Sequence, residues 1–506
     1  MKPEKAKISA ITAILLAVWT ISMVFVYSEY QRRRGLEGKD IVSSDVKMDS
    51  EERRMYNVYR NGSKVGYRIE RTIHGGEFYL ATEECVLKMN LAGLSREVYL
   101  QSIVAIDTTT YNTRQLQFTI RSGSHMSEFT GSVRSDTLYI EVQNYNLAPK
   151  RTGYFIVDKS ITFPVGIPFF LSRAGADLVS LMVFDPIVFN EYVLHTERKN
   201  RKITIIGDKR RTLLEYELSY GDSDARLWLD PAGGLVRADG YMYFGGGIGN
   251  FTIEQTESRD VFLMPVDVAF GNDTLKALAI HPDRTIENPR AVEYARFRLE
   301  GIRAAYVDVT SSNQKKLSNT PVEIGIYDHP VLEGDRRDFG IQAALSDTSL
   351  TGSSDYIQPA DARIIRTARE IVAAYSDTLA MAEAISRWVN ENMQKNERIT
   401  LIRSVDILRE RKGGFEEYTK LFTALARSVG IHTQINLGLV CREDGVFRYH
   451  SWPSVFTGDV WHDVDPYYGQ ARADATHITL VRGDFERLVE LLRLVNNLSI
   501  QVIEYR

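Results

Sequence analysis

Strict alternation of apolar and polar residues over a long stretch constrains the fold of this chain most. From residue 55 to about residue 262, segments such as KVGYRIERTI, REVYLQSIVAID, TLYIEVQNYNL and TLLEYELSY repeat with a period of two. This period is typical of strands that bury one face. Turn signals, among them RNGSK, HGGE, GDSD and DPAGG, separate the segments. We therefore predict a large antiparallel β domain over residues 51–265.

The period changes to that of helices from residue 359. The segments PADARIIRTAREIVAAY and DTLAMAEAISRWVNENMQ carry apolar residues at helical spacing. A further helix is predicted over residues 415–429, and Gly430 suits its C-terminal end. The strand patterns IHTQINLGLVC, VFRYHSWPSVF and VWHDVDPYYGQ follow. Helices followed by an antiparallel sheet indicate an α+β domain over residues 359–506, after a mixed connecting region over residues 266–358.

An uncharged stretch near the N-terminus, ISAITAILLAVWTISMVFVY, occupies residues 8–27. A helix rises ~1.5 Å per residue, so this stretch spans ~30 Å, the thickness of a hydrocarbon core. No small-residue cleavage motif is obvious near its end. We predict a transmembrane anchor over residues 1–28 and a polar stalk over residues 29–50, with a buried core helix as the alternative. The fold class predicted for the whole chain is α+β with this N-terminal helix.

Charge and cysteine content exclude several classes of function. The chain has 62 basic and 66 acidic residues and a net charge of -4, which gives no footprint for nucleic acid. Its two cysteines, Cys85 and Cys441, lie in different predicted domains, so neither a disulfide framework nor a cysteine-rich metal site is expected. The basic N-terminus favours export of the bulk of the chain. We predict a single-pass protein of the inner (cytoplasmic) membrane with a periplasmic or extracytoplasmic soluble part.

Two residues of the C-terminal region suit a thiol-enzyme site. Such a site needs a cysteine at a helix N-terminus, a histidine as base, and an Asp or Asn that orients the imidazole. His450 lies in YHSW and Asp465 in DVDPYYGQ, on strands predicted to be neighbours. The spacing can bring both side chains together on one sheet face.

Several blocks in this region resemble the transglutaminase-like superfamily, in its bacterial membrane-anchored branch. They are RKGGFEEYTKLFTALARSVGI, YHSWPSVF and VWHDVDPYYGQARADATHITLVRGD, within residues 360–485. Family members usually read Arg-x-Gly-Asp-Cys-x-Glu, then His-x-Trp, then Trp-x-x-x-Asp-Pro and Gly-Gln. The matching residues here are Glu417, Gly430, Ile431, His450, Trp452, Trp461, Asp465, Pro466, Gly469 and Gln470. The resemblance implies a papain-like fold.

The chain departs from the family pattern at the nucleophile. Where the family has Gly-Asp-Cys, this sequence has Gly413, Gly414 and Phe415. A benzyl group has no lone pair with which to attack a carbonyl, so the resemblance implies a remnant triad of His450 and Asp465 beside Phe415. Phe415, Glu417, Trp452 and Trp461 are predicted to contribute to binding.

Blander interpretations exist for each of these residues. One alternative is that His450 and Asp465 have no role beyond holding the sheet together. Likewise, Glu417 is explained by its favourable interaction with the helix dipole alone. Cys441 can be a replacement nucleophile or a half-buried strand cysteine. A metal site from His450, His462 and Asp463 is disfavoured because neighbouring strand residues point to opposite faces. No metal or cofactor is predicted, and His477 is expected to be structural.

The sequence thus predicts a membrane-anchored envelope protein that binds or scaffolds a peptide, a protein or a cell-wall fragment and does not catalyse. One alternative is an active cysteine-type peptidase or acyl transferase with an unrecognised nucleophile. Another is a lipid or peptide carrier that works through the β domain. The hairpin LWLDPAGGLVRADGYMYFGG, which resembles periplasmic half-barrel carriers of the outer-membrane lipoprotein carrier type, motivates this last alternative.

Overall fold

The computed structural model describes residues 50–91, 94–123, 125–145, 151–156, 161–174, 177–187, 190–206, 209–220, 223–240, 251–264, 278–302, 311–331, 348–397, 401, 403–458, 460–494 and 498–506. The predicted anchor and nearly all of the stalk lie outside these residues. Within them, no helix is long and apolar enough to cross a membrane.

One sheet of fifteen strands forms most of the N-terminal half of the described chain. Its strands run in the order β8-β7-β6-β5-β4-β3-β2-β1-β15-β14-β13-β12-β11-β10-β9. All neighbours are antiparallel except β9 and β10, which are parallel. The strands are β1 (Ser50–Arg60), β2 (Ser63–Gly75), β3 (Phe78–Leu91), β4 (Leu94–Asp107), β5 (Thr113–Ser122), β6 (His125–Arg134), β7 (Thr137–Tyr145), β8 (Arg151–Ile156), β9 (Ile161–Thr162), β10 (Leu178–Asp185), β11 (Asn190–Ile206), β12 (Lys209–Tyr220), β13 (Ser223–Leu229), β14 (Leu235–Asp239) and β15 (Phe251–Thr256).

Local turn chemistry explains the tight hairpins of this sheet. Asn61 and Gly62 form the two-residue loop between β1 and β2, with φ of 49° and 80°. Asn-Gly suits this loop because both positions need a positive φ. The contact between β15 and β1, with Met55 opposite Thr256, joins two series of hairpins into one sheet.

Three smaller sheets occupy the C-terminal part. One has the order β16-β23-β22-β25 with β24 also on β23, another β18-β19-β17-β26, and β20 pairs with β21. Strands β16 to β19 come from the predicted connecting region, and two of them, β16 and β17, pair with strands β23 and β26 of the C-terminal domain. The strands are β16 (Ala279–Ile280), β17 (Tyr294–Glu300), β18 (Gln314–Asn319), β19 (Val322–Tyr327), β20 (Gln394–Lys395), β21 (Lys412–Gly413), β22 (Thr433–Cys441), β23 (Phe447–Phe456), β24 (Trp461–Asp463), β25 (Ile478–Gly483) and β26 (Ser499–Tyr505).

The helices are short and lie mainly before β22. The α-helices are α1 (Ile167–Ala174), α2 (Ala362–Val372), α3 (Thr378–Asn392), α4 (Ser404–Glu410) and α5 (Phe415–Ser428). The 3₁₀ helices are Pro164–Gly166, Arg259–Phe262, Pro289–Ala291, Thr348–Leu350 and Phe485–Leu494. Asp361 and Asp377 cap α2 and α3 by accepting hydrogen bonds from backbone N–H groups. Helix α5 is buried over almost its whole length and packs against β23.

The predicted fold class is wrong for the chain as a whole. Strand accounts for 52% and helix for 20% of the structure, so the described chain is mostly β with one large sheet and not α+β. The reason is that the period-two region gives fifteen paired strands, and the connecting region adds further strands to the C-terminal sheets. Helical periodicity near residue 359 was real but covers too few residues to change the balance.

The large sheet and the C-terminal domain share a buried contact. The 3₁₀ helix Phe485–Leu494 packs against β5. A guanidinium nitrogen of Arg96 donates to the carbonyl oxygen of Phe485 at 2.5 Å, and His125 Nε2 lies 3.1 Å from a carboxylate oxygen of Glu490. All four side chains are buried. The C-terminal site is therefore held on a support that includes the large sheet.

Candidate functional site

His450 lies near the middle of β23 and is completely buried. Gly438 of β22 stands opposite it in the register. A Cβ at position 438 would lie 2.0 Å from the carbonyl oxygen of Ile478 and 3.2 Å from the Trp452 ring. Glycine is thus required at position 438, because any side chain there would collide with the backbone of β25 and crowd the Trp452 ring.

Asp465 accepts a hydrogen bond from His450, with 2.7 Å between His450 Nε2 and Asp465 Oδ2. The other carboxylate oxygen accepts from the backbone N–H groups of Tyr467 and Tyr468 at 2.8 and 3.2 Å. Burial alone would raise the pKa of Asp465, but the charges and hydrogen bonds of the histidines lower it well below its usual range. The carboxylate is ionised, and Nε2 of His450 therefore carries a proton.

The two ring nitrogens of His450 differ in their hydrogen bonding. Nδ1 is buried and has no hydrogen-bond partner within the part of the chain that the structure describes. Burial lowers the pKa of His450, against the opposing effect of the Asp465 charge. The lowered pKa favours the neutral ring, which has a lone pair on Nδ1.

Phe415 is the first residue of α5 and is 3% exposed. Its ring centre lies 4.8 Å from that of His450, 5.4 Å from that of Tyr449 and 6.1 Å from that of Tyr467. The helix N-terminus and the imidazole therefore meet at one point, which a phenyl ring fills.

His477 joins this cluster, although the sequence suggested only a structural role for it. Its Nε2 lies 3.0 Å from the same Asp465 oxygen that His450 contacts, and its Nδ1 lies 3.0 Å from the carbonyl oxygen of Asp474. Burial would lower the pKa of His477, but the Asp474 charge and the hydrogen bonds to both carboxylates raise it to about 9. His477 is thus an imidazolium. The Asp-x-x-His spacing in DATHI is the only sequence signal that points to this pair.

The other predicted binding residues differ in their relation to this cluster. Trp452 stacks on His450 with 6.1 Å between ring centres, and its Nε1 donates to Asp463 at 3.3 Å. Trp461 lies apart, against Phe456 in a separate small apolar cluster.

Glu417 stabilises the start of α5. One of its carboxylate oxygens accepts from the backbone N–H of Gly414 at 2.9 Å, and the other accepts from Leu401 N at 3.1 Å and lies 3.4 Å from Lys420 Nζ. Glu417 and Lys420 are both fully buried. Its contacts are those of a helix cap with a buried ion pair, and they leave no oxygen facing His450.

Cys441 is placed away from the imidazole. It stands opposite Phe447 on β23, whereas His450 stands opposite Gly438. Since the side chains of a strand alternate between faces, Cys441 and His450 point to opposite sides of the sheet. Burial raises the pKa of the Cys441 thiol to about 12. Its sulfur therefore remains a thiol near neutral pH.

One cluster of side chains has the composition of a metal site. In the described residues the only group of suitable composition is His450, Asp465 and His477, whose candidate ligand atoms lie within 4.8 Å of one another. Both imidazoles already donate protons to one oxygen of Asp465. A metal ion would have to displace these protons, so hydrogen bonding accounts for the cluster. Asp463, part of the set weighed from the sequence, accepts instead from Asn436 and Trp452.

Comparisons with known proteins bear on the same region. No curated protein shows significant sequence similarity to this chain. A structure named "putative cysteine protease" from Cytophaga hutchinsonii is 12% identical, with 42% of this chain and 87% of that chain covered and a TM-score of 0.26. A structure named "putative protease" from Parabacteroides distasonis is 9% identical, with 70% and 69% covered and a TM-score of 0.18. At these TM-scores neither likeness carries an argument.

The family comparison is specific to the segment that holds the site. Residues 365–466 match the sequence model of the Transglutaminase-like superfamily, a span that includes α5, β22, β23, β24 and Asp465. His477 lies beyond the match. The resemblance predicted from the sequence is thereby confirmed: this chain carries a domain of the transglutaminase-like superfamily.

Proposed function

We propose that the transglutaminase-like domain is catalytically inactive and acts in binding or scaffolding. One observation carries the proposal: the first residue of α5 is Phe415, and its ring packs on His450 at 4.8 Å. A papain-type mechanism needs a thiolate at this point, where the helix N-terminus and the imidazole both stabilise it. Phenylalanine has neither a proton to give His450 nor a lone pair with which to attack.

The alternative of an active enzyme requires another nucleophile. Neither cysteine suits this role, because burial raises the pKa of both thiols and Cys441 lies on the face away from His450. Thr419, one turn further along α5, donates its hydroxyl to the carbonyl oxygen of Ser451 at 2.9 Å. Loss of the nucleophile from a cooperative triad costs on the order of 10⁶ in rate. The inactive interpretation is therefore the better supported of the two.

The remaining cluster has the properties of a rigid binding element. His450, Asp465 and His477 are hydrogen-bonded to one another, and Trp452 and Tyr467 pack against them. Such pre-ordering lowers the entropy cost of binding a partner. A peptide, a protein segment or a cell-wall fragment is the proposed ligand, because these suit the cleft of a papain-like fold.

Peptide hydrolysis and transamidation assays test the proposal directly. We expect wild-type protein and the His450→Ala variant to give the same background rate. A rate that is above background in the wild type and disappears in His450→Ala would refute the inactive interpretation.

A reconstruction tests whether the site has kept its geometry. In Phe415→Cys, the new thiol stands beside the imidazole of His450, so iodoacetamide at neutral pH should label it faster than it labels Cys441. The matched control is Phe415→Cys combined with His450→Ala, which keeps the thiol and removes the imidazole. Equal labelling rates in both proteins would contradict the assignment of position 415 to the nucleophile. Thermal melting of each variant checks that it is folded.

The location in the cell envelope and the carrier function are two further proposals. The hydrophobic stretch at residues 8–27 is the basis for placing the protein in the cell envelope, with its soluble part outside the cytoplasm. A carrier function would reside in the large sheet and does not depend on the chemistry at Phe415.

A further inference from the structure

A cavity of about 430 Å³ opens on the large sheet, far from Phe415 along the chain. Strands β1 to β3, helix α1 and the turn between β13 and β14 surround it. Its volume falls in the range of small-molecule sites. The apolar part of its lining comes mainly from Tyr79, Val165, Phe169 and Leu235.

Both carboxylates that border the cavity already have an arginine partner. Glu52 accepts from Arg54 Nε at 2.7 Å. Glu70 is paired with Arg68 and accepts from the Tyr56 hydroxyl at 2.7 Å. Neither carboxylate is therefore unpaired, although each shares its arginine with a second carboxylate, Asp230 for Arg54 and Glu83 for Arg68.

The arginines at the cavity differ in whether a carboxylate pairs with them. Arg54 is paired with Asp230 at 2.7 Å as well as with Glu52. Arg173 also borders the cavity and contacts no carboxylate in the described ranges. Arg173 is thus the cavity arginine whose charge is left for an anionic ligand.

Arg173 is held in place by aromatic rings. Its Cζ lies 5.2 Å from the ring centre of Tyr79, 5.5 Å from that of Tyr111 and 5.4 Å from that of Phe169. One guanidinium nitrogen donates to Ser172 Oγ at 3.1 Å. A guanidinium has five N–H donors, so several remain for a ligand, and the rings reduce the entropy lost when it binds.

We propose that this cavity is a binding site for a small organic anion that pairs a carboxylate, phosphate or sulfonate with a flat or apolar group. Arg173 receives the anionic group, and the rings of Tyr79 and Phe169 receive the apolar part. The inference is independent of whether the C-terminal domain is catalytic. His74, stacked on Tyr79 with 4.9 Å between ring centres, extends the aromatic wall.

Two fluorescent probes that differ in one group test the proposal on the full chain. 8-Anilinonaphthalene-1-sulfonate carries an anionic group, and N-phenyl-1-naphthylamine has the same ring system without it. We expect Arg173→Gln to raise the Kd of the sulfonate about tenfold, which is ~1.4 kcal/mol, and to change the Kd of the neutral probe less than twofold. Inorganic phosphate should displace the sulfonate at most weakly, because it lacks the apolar part.

Two further variants locate the site. Thr72→Trp places a large ring within the cavity and should abolish the high-affinity binding of the sulfonate. Arg134→Gln is the matched control, since Arg134 also stacks on a ring, that of Tyr139 at 5.5 Å, but lies outside the cavity. The proposal is overturned if wild-type protein binds neither probe, if Arg173→Gln affects both probes equally or neither, or if Thr72→Trp leaves binding intact. Displacement by phosphate as strong as by the sulfonate itself would overturn the role of the apolar part.

Discussion

The charged state of His477 gives the sharpest test of the buried cluster. Burial opposes a charge on this imidazole, yet the Asp474 charge and the hydrogen bonds to Asp465 and Asp474 raise its pKa from 6.5 to about 9. A raised pKa stabilises the fold fully below the unfolded value and loses its effect as pH rises through the folded value. The shift corresponds to roughly 3 kcal/mol in the free energy of unfolding. The side chain is 3% exposed, so solvent screening is small.

The perturbation is His477→Gln, which removes the titrating group and keeps a hydrogen-bond donor. Urea unfolding of the wild type and the variant, measured from about pH 6 to about pH 9, gives the difference in the free energy of unfolding at each pH. We expect this difference to shrink by roughly 3 kcal/mol across the window. The pKa values of His450 and Asp465 are both lowered, in the direction opposite to the shift of His477.

His432→Gln serves as the control for a histidine substitution, because this histidine lies in the same domain but outside the cluster. A difference between wild type and His477→Gln that stays constant from about pH 6 to about pH 9 would refute the assigned charge on His477. A change in the slope of the urea dependence would show that the comparison is not two-state.

Three further changes follow from the packing. Phe415→Ala should cost about 3–5 kcal/mol in calorimetry, as expected for a buried aromatic residue, and a cost below about 1 kcal/mol would contradict its burial. Gly438→Ala places a carbon 2.0 Å from a backbone oxygen and should lower the Tm by several degrees or prevent folding. The control Gly414→Ala, whose new carbon would have its nearest contact at 3.4 Å, should be tolerated. Equal effects of the two substitutions would refute the close approach at Gly438. Arg96→Met should weaken the contact between the large sheet and the C-terminal domain, and limited proteolysis between them should become faster. Unchanged proteolysis would show that the Arg96 contact does not hold the two parts together.

The sequence predicted the elements of the site better than their assembly. His450 and Asp465 were placed on neighbouring segments, and the structure joins them at 2.7 Å. Trp461 was grouped with them because it belongs to the same motif, but the structure packs it against Phe456. Motif order fixes which strand a residue occupies, whereas the pleat and the register decide which face it reaches.

His477 illustrates the limit of sequence spacing. It reaches Asp465 because β25 pairs with β22 and brings a later segment beside the imidazole, and no local pattern predicts this pairing. Burial lowers the pKa of both rings, but the Asp474 charge and the hydrogen bonds to both carboxylates raise that of His477 to about 9, although the intrinsic pKa values are the same.

By itself, the sequence determined the local features: the period of two, the Asn61-Gly62 hairpin, the start of a helix at Phe415 and the order of the family's blocks. These depend on backbone sterics and on the burial of one face, which act between residues close in the chain. Only the tertiary structure decided that β15 would close on β1, that the connecting region would add strands to the C-terminal sheets, and that Phe415 would be sealed against His450. Those outcomes depend on contacts between distant segments, whose free energy no single segment carries.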